Sequence, residues 1–327
     1  MTRPRQTGAA LLAAMLTVTL VATLASAALW QQWRGVEVEA SERMRLQAAW
    51  VLTGAQDWGR LILREDARNG GADHLNEPWA VPLQEARLST FLAADRGAAD
   101  ATGDNDNVFL SGQIIDMQGR LNLNNLVEAG KISEVGLRSF QRLFELLGLP
   151  QAELNRLAEN LRFASDINID NQSAAQAPLM PQRVEQLAWL GLSPATIAAL
   201  TPHVAPFVAL LPRYQVNINT ASAEVIYAAI NGITLADAQE LVARRAVSPY
   251  TNLSDASRLM PQYAAAFTEG TVGVNSRYFE VRGRLRLDRL IVEERSLVRR
   301  DGLEVRTLAR ERAAVDPALV MQAGTSR

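Results

Sequence analysis

The sequence predicts an α+β protein in which a long amino-terminal helix precedes an antiparallel sheet, and a large all-α domain is inserted between the strands of that sheet. Three observations carry this expectation. No residue between Arg5 and Arg34 is charged, and the run from Ala9 to Leu29 holds 21 apolar or small residues, enough to cross a bilayer core as a helix. Apolar and polar residues alternate over 108–123 and again from 272 to 309, the period of half-buried strands. The block between them shows only short helix-period patterns punctuated by Gly and Pro, so one sheet interrupted by a helical domain is the economical reading.

Composition narrows the function. The chain has 327 residues, 48% hydrophobic and 21% charged, with a formal net charge of −2 and no cysteine. Without cysteine there is no disulfide scaffold, thiolate metal site or thiol nucleophile. The two histidines, His74 and His203, lie far apart in sequence, which excludes a His-rich metal site. The acids and arginines show no pairing at catalytic spacing, so no enzyme is predicted. His74 is expected to be a structural hydrogen-bonding residue. A sequence pI of about 5.9 gives no electrostatic case for nucleic acid as the main partner.

The elements follow in order. No proline occurs from Arg5 to Glu77, so one helix from Ala9 to about Arg64 would run about 84 Å at 1.5 Å per residue. Its first half is apolar all round. In its second half Trp30, Trp33, Leu46, Trp50, Leu52, Leu61 and Ile62 interleave with charges such as Glu37, Glu39 and Arg43, an amphipathic face suited to lie on a globular domain. Asn69-Gly-Gly-Ala-Asp73 closes the helix, and Gly97 to Asn107 reads as an exposed turn. The alternation from Val108 to Leu123, with a turn near Asp116-Met-Gln-Gly119, predicts a hairpin.

Helices are expected at Gly136 to Leu147, Ala152 to Phe163, Val184 to Leu190, Pro194 to Leu200, Ala221 to Asn231 and Leu235 to Arg245. Strands return at Val272 to Val281 and continue to Leu287. Asp301-Gly302 marks a second hairpin between Leu290 to Arg299 and Leu303 to Ala309. Eleven arginines between Arg277 and Arg312 face seven acids, and their mostly alternating positions predict a solvated sheet face.

Asn217-Ile-Asn-Thr-Ala-Ser-Ala-Glu-Val225 with Gly232-Ile233 resembles the helix–hairpin–helix element of DNA-binding proteins, in which a Gly-x-Gly hairpin offers backbone N–H groups to phosphate. Here the second Gly is Thr234. The surrounding region holds four basic residues (Arg213, Arg244, Arg245 and Arg258) against five acids, the wrong sign for phosphate binding. Packing of Val225, Ile226, Ile230, Ile233 and Leu241 is the stronger reading. A bitopic membrane protein with a DNA-binding module is the alternative.

Met-Thr-Arg-Pro-Arg-Gln-Thr-Gly8, a basic leader ending in Gly before an apolar helix, resembles the amino terminus of type IV pilins and pseudopilins. Signal peptidase cleavage near Ala25-Ser26-Ala27 and an uncut signal anchor are the competing readings of this segment. His74-Leu75 with Pro78-Trp79-Ala80, Asp116 to Leu126 (DMQGRLNLNNL), Val216 to Ala221 (VNINTA) and Val274 to Phe279 (VNSRYF) extend the resemblance collinearly to the minor pseudopilin K family of the type II (general) secretion pathway.

That resemblance implies a pilin-like fold and a non-catalytic role at the tip of a pseudopilus that serves protein export. It implies cleavage by prepilin peptidase between Gly8 and Ala9, with methylation of Ala9. Ala13 stands at mature position five, where most pilins carry Glu, and this family also lacks that Glu. The expected organisation is leader 1–8, transmembrane helix 9–29, first part of the pilin domain 30–125, inserted all-α domain 126–270, second part 271–314 and flexible tail 315–327. Minor pseudopilins I and J and the inner-membrane secretion platform are the implied partners. The implied location is the bacterial inner membrane, crossed once, with the globular part in the periplasm. Asp166, Asn168 and Asp170 lie where the family has an acidic loop associated with calcium, and Asp100, Asp104 and Asp106 form another acidic loop. Six to eight oxygens are needed for the ion, and solvated turn chemistry accounts equally well for either loop.

Overall fold

A computed structural model describes residues 7–90, 108–166, 176–267, 270–287 and 290–315. It divides into two compact units, Met1–Thr53 and Gly54–Arg327. The first unit consists, among its described residues, of helix alone. It is the amino-terminal part of α1 (Thr7–Asn69), whose apolar window has a mean hydropathy of 2.1 and is wholly unburied. The hydroxyls of Thr17, Thr19, Thr23 and Ser26 donate to carbonyls three or four residues earlier, so these polar groups are satisfied within the helix, as a bilayer requires.

The second unit is built on a five-stranded antiparallel sheet. β1 (Leu83–Arg87), β2 (Val108–Asp116), β3 (Tyr278–Leu287), β4 (Leu290–Asp301) and β5 (Glu304–Val315) lie side by side in chain order. The α+β prediction holds, and the helical region is inserted between β2 and β3. It comprises α2 (Glu134–Leu146), α3 (Gln151–Ser165), the 3-10 helix Val184–Leu190, α4 (Pro194–Leu200), α5 (Ala223–Ala229), α6 (Leu235–Val247) and α7 (Leu253–Leu259). Ser133, Ser193, Ser222, Thr234 and Asn252 cap α2, α4, α5, α6 and α7 through their side-chain oxygens, the expected chemistry at helix starts. Val225, Ile226, Ile230, Ile233 and Leu241 are buried in one helical core together with Phe140, Leu154 and Leu187.

The predicted hairpin at 108–123 is replaced by another pairing. β2 stops at Asp116, whose side chain accepts from the Gln118 N–H and caps the 3-10 turn Met117–Gly119. β2 then pairs along its whole length with β3, from Val108 opposite Leu287 to Asp116 opposite Phe279. The strand predicted from Val272 is likewise broken. Val272–Gly273 pairs in parallel with Val216–Asn217 inside the helical region, and β3 begins only at Tyr278. The Asp301-Gly302 hairpin is as predicted, with Gly302 at φ +57°.

Each face of the sheet is covered differently. Phe279, Val281 and Val298 pack against Leu63 of α1 and Trp79, with Trp79 edge-on to Phe279 at 5.2 Å. On the opposite face Tyr278 and Leu297 pack against Met117, Phe207 and Leu211 of the helical region. Within the second unit the amphipathic face of α1 differs from expectation at Leu61, which is exposed, whereas Gln56 and Leu63 are buried. The solvated arginine face also needs correction. Glu280 and Glu294 are fully buried, with Glu280 paired to Arg282 and Glu294 to Arg310 and Arg312. Buried acidic side chains are found paired in this way because burying one without a partner is costly.

Gly59 sits where α1 touches the sheet, and a Cβ there would meet Val281 Cγ1 at 2.7 Å, whereas a Cβ at Gly54 would meet nothing within 4 Å. Alanine gains about 1 kcal/mol of helix propensity at either site, but overpacking costs about 1–3 kcal/mol. Gly54→Ala is therefore predicted to stabilise and Gly59→Ala to destabilise by about 1 kcal/mol. Urea unfolding of the two variants checks the opposite signs, and equal shifts would refute the contact.

Candidate functional site

The sequence segments that carry the family resemblance meet in one place. Asp116, at the end of β2, is buried. Its Oδ1 accepts from the Gln118 N–H at 2.8 Å. Its Oδ2 accepts from Ser276 Oγ at 2.6 Å, Thr220 Oγ1 at 2.6 Å and Asn217 Nδ2 at 3.2 Å. The donors come from the turn after β2, from the loop before α5 and from the segment leading into β3, so one carboxylate ties both ends of the insertion to the sheet.

The asparagines of the same segments work as backbone substitutes. Asn122 Nδ2 donates to the Pro212 carbonyl, Asn124 Nδ2 to those of Val208 and Leu211, and Asn125 both donates to and accepts from the Tyr214 backbone. Asn219 does the same with Tyr250. Gln118 donates to the Gln215 and Asn275 carbonyls and accepts from the Arg277 N–H. An amide side chain carries both a donor and an acceptor, so it can satisfy the backbone of a loop that has no ladder of its own. This explains why the return segment after Asp116 is not a strand.

The network continues to the end of α1. Asn217 Nδ2 donates to the Asp73 carbonyl at 3.0 Å, and Asp73 Oδ2 accepts from the Ser276 N–H at 2.6 Å. Arg300, at the end of β4, bridges Asp73 and Asp66, donates to the Ser276 carbonyl at 2.9 Å and lies 4.9 Å from the Phe279 ring. Glu77 accepts from the His74 N–H at 2.8 Å and from Trp79 Nε1 at 2.7 Å. The backbone of His74 thus takes part, but its Nδ1 has no hydrogen-bond partner. Oxygens of Asp66, Asp73 and Glu77 lie within 4.8 Å of one another, with the Arg300 guanidinium held between Asp66 and Asp73. Asp66, Asp73 and Arg300 were not predicted as site residues. The sole trace in sequence was their place in a loop stretch, a helix end and an arginine-rich strand.

Burial pushes the Asp116 carboxyl up to about 6, against the pull of its Ser276, Thr220 and Gln118 donors. Burial also raises Asp73, opposed by Arg300, and burial and then the charge of Glu77 raise Asp66. Tyr214, whose hydroxyl donates to the Met117 carbonyl at 2.7 Å, is pushed well above its usual value by burial.

The predicted site residues lie elsewhere. Gly8, Ala9 and Ala13 are in the first turns of α1, with Ala9 and Ala13 exposed. Asp166 is the C-cap residue just after α3, while Asn168, Asp170, Asp100, Asp104 and Asp106 lie outside the described residues. At the helix–hairpin–helix-like turn, Thr234 Oγ1 accepts from the Asp237 N–H and donates to Asp237 Oδ2. An acid therefore stands at the α6 amino terminus where a phosphate would dock. The nearby cations are also engaged: Arg213 pairs with Glu128, Arg244 with Glu240 and Arg258 with Asp255, and buried Arg245 donates to the Ile218 carbonyl.

A raised carboxyl pKa makes folding more favourable at low pH, and that contribution is lost as pH rises through the folded value. For Asp116 the window runs from about 4 to about 6, and the change is on the order of 3 kcal/mol. Asp116→Asn should remove this component. The stability of the natural chain minus that of the variant should fall as pH rises from 4 to 7, and parallel pH profiles would count against the assignment.

Comparison with known proteins agrees with this geometry. Two family models described as type II secretion system protein K match residues 119–213 and 216–275. The type II secretion system protein K of Pseudomonas aeruginosa is 28% identical over 332 residues, covering 94% of this chain and 93% of the relative. That of Pectobacterium carotovorum is 25% identical, covering 94% of this chain and 97% of its own. A chain of the solved GspK-GspI-GspJ complex from enterotoxigenic Escherichia coli shares the fold, with a TM-score of 0.63 at 18% identity over 84% of this chain and 98% of the other. The motifs that build the Asp116 junction lie in or beside the matched region, and over nearly its whole length the chain is similar to the type II secretion system protein K family of structural, non-catalytic pseudopilins.

Proposed function

We propose that this chain is the tip subunit of a type II secretion pseudopilus, where it nucleates or caps assembly for protein export across the outer membrane. The observation that carries the reading is the position of the insertion. Within the second unit α1 runs toward its end at Asn69, and there Asp73 donates through its N–H to the Val274 carbonyl and shares Arg300 with Asp66. The insertion is therefore fastened at the end of the sheet toward which α1 runs, as bulk against a further subunit stacking above. Ala13 supports the same reading. In the pilin scheme the Glu at mature position five neutralises the terminal amine of the subunit ahead, and a subunit with none ahead needs no such acid. An unpaired carboxylate there would also be costly in lipid.

On this reading prepilin peptidase cuts between Gly8 and Ala9 and methylates Ala9. The run from Ala9 to Leu29 anchors the chain in the inner membrane, and the folded part lies in the periplasm. The partners are the minor pseudopilins I and J, with which the solved relative forms a complex, together with the secretion platform. No described feature favours the DNA-binding alternative, given the acid at the α6 start. Calcium at Asp166, Asn168 and Asp170 rests on the family resemblance. Asp166, the one described member, offers at most two of the six to eight oxygens the ion takes. Calorimetry of the full chain with calcium tests it, and absence of both heat and thermal shift refutes it.

The tip role is tested in secreting cells by immunogold labelling of this chain on sheared pseudopili. Label at one end is expected, and label along the length overturns the reading. In the same cells Gly8→Ala is predicted to block processing, and Ala13→Glu to leave secretion unchanged or reduce it.

A further inference from the structure

The segment just beyond the apolar run has a chemistry of its own. Ala9 to Leu29 spans 21 residues, about 31 Å of helix against a hydrocarbon core of about 30 Å. Leu29 therefore falls at the edge of the core if the run is embedded. The next residues are Trp30-Gln-Gln-Trp33-Arg34. Trp30 and Trp33, three apart, share one helix face and are 59% and 64% exposed. The Arg34 guanidinium lies 5.5 Å from the centre of the Trp30 ring, a cation–π contact. An indole has an apolar body and one N–H donor, and it settles where lipid tails meet headgroups. A guanidinium pairs with phosphate.

The charges that follow have the opposite sign. Glu37, Glu39 and Glu42 begin about one turn beyond Arg34, and anionic headgroups repel them. Cation and acids together permit one depth only, with Arg34 at the phosphates and Glu37 in water. Trp50 is 77% exposed, but it lies about 30 Å beyond Trp30 along the helix, past the acids, so exposure alone does not define the belt.

Resting on the membrane anchoring proposed above, we infer that Trp30, Trp33 and Arg34 form an interfacial belt that binds the phospholipid headgroup layer and fixes the depth of α1 in the membrane. The belt acts on a single chain and requires no other subunit.

The absence of native cysteine makes the test free of background. Single cysteines replace Leu24, Ala28, Gln32, Val36 and Ala40 in the full chain. Each variant is reconstituted alone in vesicles of phosphatidylethanolamine and phosphatidylglycerol and exposed to a membrane-impermeant maleimide. Positions 36 and 40 should label, and positions 24 and 28 should label at least about tenfold more slowly. With Trp30→Ala, Trp33→Ala and Arg34→Ala combined, the boundary should move by about one helical turn, ~5 Å, in either direction. Trp30→Tyr with Trp33→Tyr should hold it in place, because tyrosine also prefers the interface.

A boundary unmoved in the triple alanine variant overturns the belt while leaving the anchor intact. A boundary that moves only when companion pseudopilins are present also overturns it and assigns the face to a protein neighbour. Rapid labelling at positions 24 and 28 in the otherwise natural chain overturns the membrane anchor itself, a separate failure.

Discussion

The second unit depends on one buried carboxylate. Asp116 lies at the point where the chain leaves the sheet for the helical insertion, and three of its four donors belong to segments the chain reaches about a hundred residues or more later. A hydrogen bond to a charged group contributes about 1.5–3 kcal/mol, whereas a charge buried without partners costs several times that. The Asp116 carboxylate can therefore persist only if Asn217, Thr220 and Ser276 all arrive, which couples closure of the insertion to completion of the sheet. The residual cost appears in the raised pKa, since burial still outweighs the donors.

The same logic extends outward through Asp73 and Arg300 to the end of α1. Arg300 neutralises two acids from different elements while its ring contact with Phe279 joins it to the apolar core. Polar and apolar contacts thus converge on one end of the sheet, where the tip reading needs rigidity. The joint works together with the apolar contact of Phe207 and Leu211 on Tyr278 and Leu297, because the larger core of the insertion, around Phe140 and Leu154, is a separate cluster. Two cores that met only across a loop would move independently, as weakly joined domains do.

Different parts of the fold were legible to different degrees. The apolar run, the Asp301-Gly302 hairpin and the helices at 194–200 and 235–247 rest on local signals such as hydropathy, turn chemistry and caps, and each stands where expected. The hairpin at 108–123 misled because alternation and a Gly-containing turn are necessary for a hairpin but not sufficient. β2 pairs instead with β1 before it and with β3 more than 150 residues away, and the return segment is held by asparagine side chains. The arginine-rich strands misled at Glu280 and Glu294, because alternation identifies the faces of a strand but not what covers them.

The family motifs were visible as residues before their purpose was. Asp116, Asn217, Thr220 and Ser276 lie in the segments that carry the family resemblance, but a hydrogen bond between positions 116 and 276 has no local signature. The sequence by itself determined the apolar span, the absence of thiol chemistry, the helix starts and the order of elements, since these follow from composition and from interactions a few residues apart. Only the tertiary structure decided which strands pair, which acids are buried and that three separate segments share one carboxylate. Those outcomes are set by the cost of leaving a buried charge unpartnered, and that cost exists only once the chain has closed around it.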